Sequence, residues 1–227
     1  MPYYRKLGVF AKIPVPGEVK TRLVPPLSPD EACELYRAFL NDLFARLSKL
    51  KKVSGTVFYS GKDATIIRDI VPKRFTLAPQ EGETLGERLL NAFRLLLSDE
   101  GSFATIIGSD SPDIPLTYVK RAYLKLKHRD IVVGPAFDGG YYLIALKRVI
   151  PELFRDIAWG EPAVLKETLH RAKTDGLSCA LLPLWYDVDD AKSLSLLQSF
   201  VLARQIEKSD RLQHTERVLN KIPMGKE

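Results

Sequence analysis

The sequence predicts an α/β fold: a three-layer α/β/α sandwich whose sheet is mainly parallel. Three observations carry this. Periodicity switches repeatedly between strand-like and helix-like along the chain. Ala104-Thr105-Ile106-Ile107-Gly108 is a β-rich apolar run of the buried-strand kind. No repeat, low-complexity stretch or linker interrupts residues 1–206, which read as a single domain. Residues 207–227 are highly charged with a thin apolar stripe (Leu212, Leu219, Ile222) and read as a peripheral helix or tail.

The elements follow in order. Leu7 to Ala11 forms a short buried strand, and a Pro-rich loop runs on to Pro26. Ser28-Pro29-Asp30-Glu31 combines a capping Ser, Pro at the first helical position and Glu three residues after the cap. Behind it Ala32, Leu35, Tyr36, Phe39, Leu40, Leu43, Phe44 and Leu47 share one helical face. A strand at Val53–Tyr59, a short helix from Asp63 and a strand near Phe75–Ala78 come next. Thr84 opens a helix to about Leu97, with Glu87 completing a capping box. Gly86 inside that first turn costs about 1 kcal/mol relative to Ala and implies close packing or a ligand contact. A strand at Ala104–Gly108, a helix near Thr117–Leu126 and strands at Ile131–Val133 and Tyr141–Leu146 follow. Helix Glu161–Ala172, strand Ala180–Leu184 and a helix from Ala191 complete the domain.

Composition excludes several classes. With 45% apolar and 27% charged residues the chain is neither disordered nor fibrous. Its apolar runs fall short of the ~18 residues of a membrane span, and its first residues lack the apolar stretch of a secretory signal. Cys33 and Cys179 are isolated, so no disulfide framework or Cys-based zinc site is expected, and a cytoplasmic setting is. Net charge +6 fits anionic partners. The basic clusters at Lys49–Lys52 and Lys125–Arg129 end predicted helices, where they complement the helix terminus rather than a nucleic acid. His128, His170 and His214 show no metal-ligand spacing and read as structural or surface residues.

Sheets of this kind bind ligands at the carboxyl ends of their strands, so the loops after strands are where chemistry belongs. The first, AKIPVPGEVKTRL, sets Lys12, Lys20 and Arg22 directly after strand one with Gly17 at its turn. Three cations and backbone amides on one stiffened loop suit a di- or triphosphate. In GSDSPDIP, Asp110 is the first carboxylate beyond its strand and a candidate ligand for Mg²⁺, which takes one or two carboxylates plus substrate phosphates. Asp113 reads as a helix cap, because Pro115 follows at a first-turn position. In LWYDVDDAKSL, Asp190 suffices as the cap before Ala191, leaving Asp187 and Asp189 to face a cation. Asp138-Gly139 is a hairpin signal, while Gly140 and the Tyr141-Tyr142 pair exceed what a hairpin needs.

Together FAKIPVPGEVKTRL, LSPDEACELYRAFLNDL, PQEGETLGERL, GSDSPDIP, GPAFDGGYYLIAL, LFRDIAWGEPAVLKET and LPLWYDVDD resemble a family of prokaryotic predicted glycosyltransferases. This is the transferase 1 family associated with radical-SAM and selenoprotein gene clusters, in the nucleotide-diphospho-sugar transferase superfamily. The resemblance covers about residues 7 to 195. A more distant likeness, through Lys12–Arg22 and the Asp110 turn, is to 2-phospho-lactate guanylyltransferase and the molybdenum-cofactor nucleotidyltransferases. The resemblance implies a GT-A fold, the Lys12, Lys20 and Arg22 loop at the nucleotide phosphates, and Gln80 and Gly82 near the base. It implies Asp110 and Asp189 as ligands of Mg²⁺ or Mn²⁺. Asp138, Gly139, Gly140, Tyr141 and Trp159 would shape the acceptor or sugar side. Two departures stand out: Thr84 where the family tends to have an acid, and Asp190-Ala191-Lys192-Ser193 where it has Thr-Pro-Glu-Asp-like residues.

The expected activity is metal-dependent transfer from a nucleotide-activated donor to a small-molecule acceptor, with glycosyl transfer first. Asp110 is expected in the catalytic machinery, and Asp138 is a candidate base by location. The alternatives are nucleotidyl transfer, which three loop cations suit better, and a non-catalytic nucleotide-binding domain.

Overall fold

Strand β1 (Tyr4–Lys12) is the axis of the sheet. On one side it pairs in parallel with β2 (Val53–Ser60), which pairs in parallel with β3 (Phe75–Pro79). On the other side it pairs in parallel with β4 (Ser102–Gly108). Beyond β4 the sheet order runs through β6 (Tyr141–Leu146) and β5 (Ile131–Pro135) to the edge strand β7 (Cys179–Leu181). β6 is antiparallel to both neighbours, while β5 and β7 are parallel, so the seven-stranded sheet is mostly parallel with one reversed strand. The reversal has a local cause, since Asp138-Gly139 turns the chain directly from β5 back into β6. This computed structural model describes residues 4–222.

The helices are α1 (Pro29–Leu47), α2 (Thr65–Arg68), α3 (Leu85–Leu96), α4 (Leu116–Leu126), α5 (Val164–Thr174), α6 (Ala191–Ile206) and α7 (Gln213–Leu219). Capping chemistry fixes three of their starts. Ser28, Thr84 and Asp190 each accept from the backbone N–H three residues on, and Glu31, Glu87 and Ser193 reach back. One core packs alternate β1 residues Leu7, Val9 and Ala11 against α1, α4 and α6; the other packs Ala104 and Ile106 of β4 against α3 and α5. Each fully buried Leu or Phe, such as Leu35 and Phe39, contributes roughly 1.5–3 kcal/mol. Two layers of helix therefore clamp the sheet and leave only its ends open.

Within the segment read as a peripheral helix or tail, α7 lies on α1. Leu212, Val218 and Leu219 are buried there, and the carboxylate of Asp42 accepts from the backbone N–H groups of His214 (3.1 Å) and Thr215 (2.7 Å). Residues 223–227 of that segment lie outside the described residues.

Asp113 corrects one expectation. The residue preceding α4 is Pro115, and Asp113 is fully buried, accepting at Oδ2 from Tyr186 Oη (2.8 Å) and Arg204 Nη2 (2.9 Å). Its partners lie 73 and 91 residues away, so local sequence carried no trace of them.

Candidate active site

β1 and β4 lie side by side, yet the chain leaves β1 toward β2 on one side and reaches β4 on the other. This fork opens a crevice at their carboxyl ends. A cleft of about 670 Å³ fills it, walled by the ends of β1 and β4, the loop after β1, the start of α3 and the β5–β6 hairpin. Lys12, Lys20, Arg22, Gln80, Asp110, Asp138, Tyr141 and Asp189 all line it.

Lys20 is the centre of the arrangement. It adopts a left-handed backbone conformation (φ 49°), which few lysines do, and this turns its side chain inward. The ammonium donates to Asp110 Oδ1, to Asp189 Oδ1 (3.0 Å) and to the carbonyl of Val188 (2.8 Å). The rings of Tyr36 and Phe39 stand 5.7 Å from it, an aromatic floor that suits a cation. Burial alone would lower the Lys20 pKa, but the Asp110 and Asp189 charges outweigh it and hold the group above its ordinary value.

The two acid loops are joined directly. Val188 N donates to the Asp110 carbonyl (2.9 Å), and Ser111 Oγ donates to the Tyr186 carbonyl (2.8 Å) and to Asp187 Oδ1 (2.6 Å). Burial, and then the charge of Asp110, push the Asp187 carboxyl up to about 7. Lys12 and Arg22 are exposed at the mouth, so their charges are free to meet a polyanion. Gln80 is held at the sheet edge, where Nε2 donates to the Phe58 carbonyl (3.0 Å) and the Ala11 carbonyl (3.4 Å).

Several expected residues stand elsewhere. Trp159 lies behind the cleft wall, edge-on to Tyr141 (centroids 6.4 Å apart) and against Gly86, where a Cβ would meet Trp159 Nε1 at 2.8 Å and the Phe154 carbonyl at 2.4 Å. Gly86 is thus a packing glycine. Gly139 (φ 88°) is also one, since a Cβ there would fall 2.0 Å from the Pro162 carbonyl oxygen. Gly140 donates its N–H to Asp138 Oδ1 (2.9 Å), orienting that carboxylate. Gly82 packs on Glu87 and Gly17 sits at the outer turn of its loop, neither on the cleft wall.

Two contributors escaped the sequence. Tyr36 reads as one more apolar position on α1, yet its hydroxyl hydrogen-bonds Ser109 Oγ (2.8 Å) and accepts from Lys12 N (3.0 Å). Its signal was a hydroxyl on an otherwise wholly apolar stripe. Arg88 lines the cleft from α3, anchored by Nε donating to the Gly82 carbonyl (2.9 Å), and nothing in its charged, solvent-like context distinguished it.

Whether these residues suit a divalent cation depends on the donors available. Asp110 and Asp189 each give one oxygen to Lys20, and their side chains remain 42% and 44% exposed. Among the described residues no group of three or more His, Cys, Asp or Glu converges. Two half-exposed carboxylates fit a hard cation that draws its remaining ligands from substrate phosphates and water.

The architecture and the placement of the cleft define a nucleotidyl- or nucleotide-sugar-transferase-like fold. The chain belongs to the family described as "Uncharacterized protein conserved in bacteria (DUF2064)", whose model matches residues 43–161. It is 32% identical to a candidate nucleotide-diphospho-sugar transferase of Desulfovibrio desulfuricans G20, covering 97% of this chain and 95% of that one with a TM-score of 0.86. It is 29% identical to 2-phospho-L-lactate guanylyltransferase of Methanothermobacter thermautotrophicus over 183 residues, 77% of this chain and 76% of the relative. A 4-diphosphocytidyl-2C-methyl-D-erythritol synthase of Anaerococcus prevotii shares the fold alone, with a TM-score of 0.58 at 11% identity over 87% of this chain and 96% of that one. The expected resemblance and fold class both hold, and the homologues are transferases. No helix among the described residues is long and apolar enough to cross a membrane.

Proposed function

We propose that this chain is a divalent-metal-dependent nucleotidyltransferase that joins a nucleoside triphosphate to a small acceptor and releases pyrophosphate. The observation that carries it is Lys20, buried between Asp110 and Asp189 at the β1–β4 fork with Lys12 and Arg22 at the mouth. Lys12 and Arg22, exposed on the same loop, suit the phosphates of the donor, while Lys20 is taken up by the acids beneath them. The likeness to a guanylyltransferase over three quarters of the chain supports the same reading.

In this account Lys12 and Arg22 draw in the triphosphate and Lys20 holds the acidic pair in place. The acceptor oxygen attacks the α-phosphorus, the bond from that phosphorus to the bridging oxygen of pyrophosphate breaks, and the acceptor's proton passes to Asp138. Asp138 is exposed on the cleft wall with Oδ1 accepting from Gly140 N–H (2.9 Å), which supports that role. Mg²⁺ or Mn²⁺ held by Asp110 and Asp189 would neutralise charge on the phosphates. Gln80 would approach the base, a reading supported by its place on the cleft wall at the end of β2 and β3.

Glycosyl transfer is the second reading, favoured by the 32% match to a candidate nucleotide-diphospho-sugar transferase. Product analysis separates the two. Incubation with each nucleoside triphosphate or nucleotide sugar, a panel of phosphorylated and sugar-like acceptors and Mg²⁺ should release pyrophosphate. Release of a nucleoside diphosphate from a nucleotide sugar would replace this reading with glycosyl transfer.

A further inference from the structure

The two acids at the fork sit on the turn after β4 and the loop after β7, and neither belongs to a regular element. Something must fix their separation, because a shift of an ångström would spoil a shared grip on phosphate or cation. Besides Lys20 and the direct links between the two loops, a set of bonds that does so converges on Asp113. Tyr186 Oη donates to Asp113 Oδ2 at 2.8 Å, reaching from the loop of Asp187 and Asp189 to the turn of Asp110. Arg204 Nη2, from α6, donates to the same oxygen at 2.9 Å. Arg46, from α1, donates to the backbone carbonyls of Asp113 (3.4 Å) and Ile114 (3.1 Å), so arginines from two helices grip one turn.

A fully buried carboxylate is costly to keep unless its partners fix something in return. Asp113 Oδ1 and Arg204 Nη1 make no hydrogen bond among the described residues, so stability alone does not account for the arrangement. It secures the alignment of two loops. Val188 N, beside Asp189, meets the Asp110 carbonyl at 2.9 Å, and Ser111 bridges the same loops one residue on.

We infer that Asp113 is a positioning residue: through Tyr186 and Arg204 it sets the distance between Asp110 and Asp189, so that α6 acts on the site from its far end as well as through Ser193, whose Oγ accepts from Asp189 N (3.0 Å) at its start. The inference rests on the proposed transferase reading for its consequence in turnover, and its structural half stands apart from that reading.

Tyr186→Phe keeps the ring among Trp185 and Phe200 and removes only the hydroxyl, while Asp113→Asn removes the charge. In protein free of metal and nucleotide, hydrogen exchange at the Val188 amide should speed about tenfold in both variants, with the Val9 amide of β1 unchanged. With the donor and Mn²⁺, kcat should fall about tenfold or more while the nucleotide KM stays within about twofold. Leu197→Ala, a buried truncation on the same helix, should lower the melting temperature without either effect. Val188 exchange at the wild-type rate in both variants overturns the inference. So does wild-type kcat despite faster exchange, or a Leu197→Ala protein that reproduces both changes. Absence of transfer by the wild-type protein would instead overturn the proposed function, with exchange at Val188 still deciding whether Asp113 joins the loops.

Discussion

Replacing Lys20 with Met tests the electrostatic centre of the site. Met keeps the length and apolar stem of the side chain and removes the ammonium that Asp110, Asp189 and the Val188 carbonyl share. Breaking a buried ion pair costs about 3–5 kcal/mol, because the charge left behind has no partner. Here the two carboxylates are 42% and 44% exposed and regain part of their hydration, which lowers the expected loss to about 2–3 kcal/mol. For a chain of this length each kcal/mol moves the melting temperature by about 2–4 °C, giving a fall of about 4–12 °C. The pH must be chosen with the sign in view. The folded pKa of Lys20 is raised above its ordinary 10.5, so its contribution is complete below that value and is lost only as pH rises past the folded one. Thermal unfolding at pH 7 therefore reads the whole effect. Added Mg²⁺ should restore more stability to Lys20→Met than to wild type, because a cation can then take the vacated place between the acids. A variant that melts within about 1 °C of wild type would refute the assignment of Lys20 as the cation that holds this pair.

Three further outcomes follow from the same geometry. Asp110→Asn should still unfold cooperatively, a few degrees lower because buried Lys20 keeps only Asp189 as an ionic partner, and should lower transfer by about a hundredfold or more, as judged from initial rates at saturating Mg²⁺. Asp130 accepts from the Ser178 amide (2.9 Å) and hydroxyl (2.6 Å), and with Lys147 beside it its carboxyl lies well below the usual range. Its contribution of about 2 kcal/mol is therefore present above pH 4 and lost on acidification, so wild type and Asp130→Ala should differ in urea midpoint at pH 7 and converge as the pH falls below 3. Gly139→Ala forces a Cβ to within 2.0 Å of the Pro162 carbonyl oxygen at φ 88°, and should cost about 2–4 kcal/mol in denaturant unfolding while lowering turnover through the displaced Asp138 turn.

The parts of the molecule that local chemistry dictates were legible in the sequence. Ser28, Thr84 and Asp190 start their helices as their spacing implies, and the rule that ligands gather at strand ends led to Lys20, Asp110 and Asp189 before their meeting was visible. The remainder depends on contacts between distant segments. Asp113 read as a cap because Pro115 follows it, whereas the fold buries it against Tyr186 and Arg204. Tyr36 kept the helical period of α1, so its hydroxyl at the floor of the site did not stand out. Trp159 and Gly139 carried the look of ligand contacts but pack against Gly86 and Pro162, partners that only the folded chain supplies. Helix α6 is apolar on both sides: Leu194, Leu197 and Val201 face the core, and Leu202 and Ile206 face outward, so its docking face could not be chosen from pattern alone.

Nucleotide-induced thermal stabilisation, measured with and without Mg²⁺ for wild type and Asp110→Asn, bears most directly on whether the fork holds a cation-bound polyphosphate. The account predicts a nucleoside triphosphate shift in wild type that grows with Mg²⁺ and loses its metal dependence in Asp110→Asn. A wild-type shift indifferent to Mg²⁺, or an equal metal-dependent shift in Asp110→Asn, would contradict it.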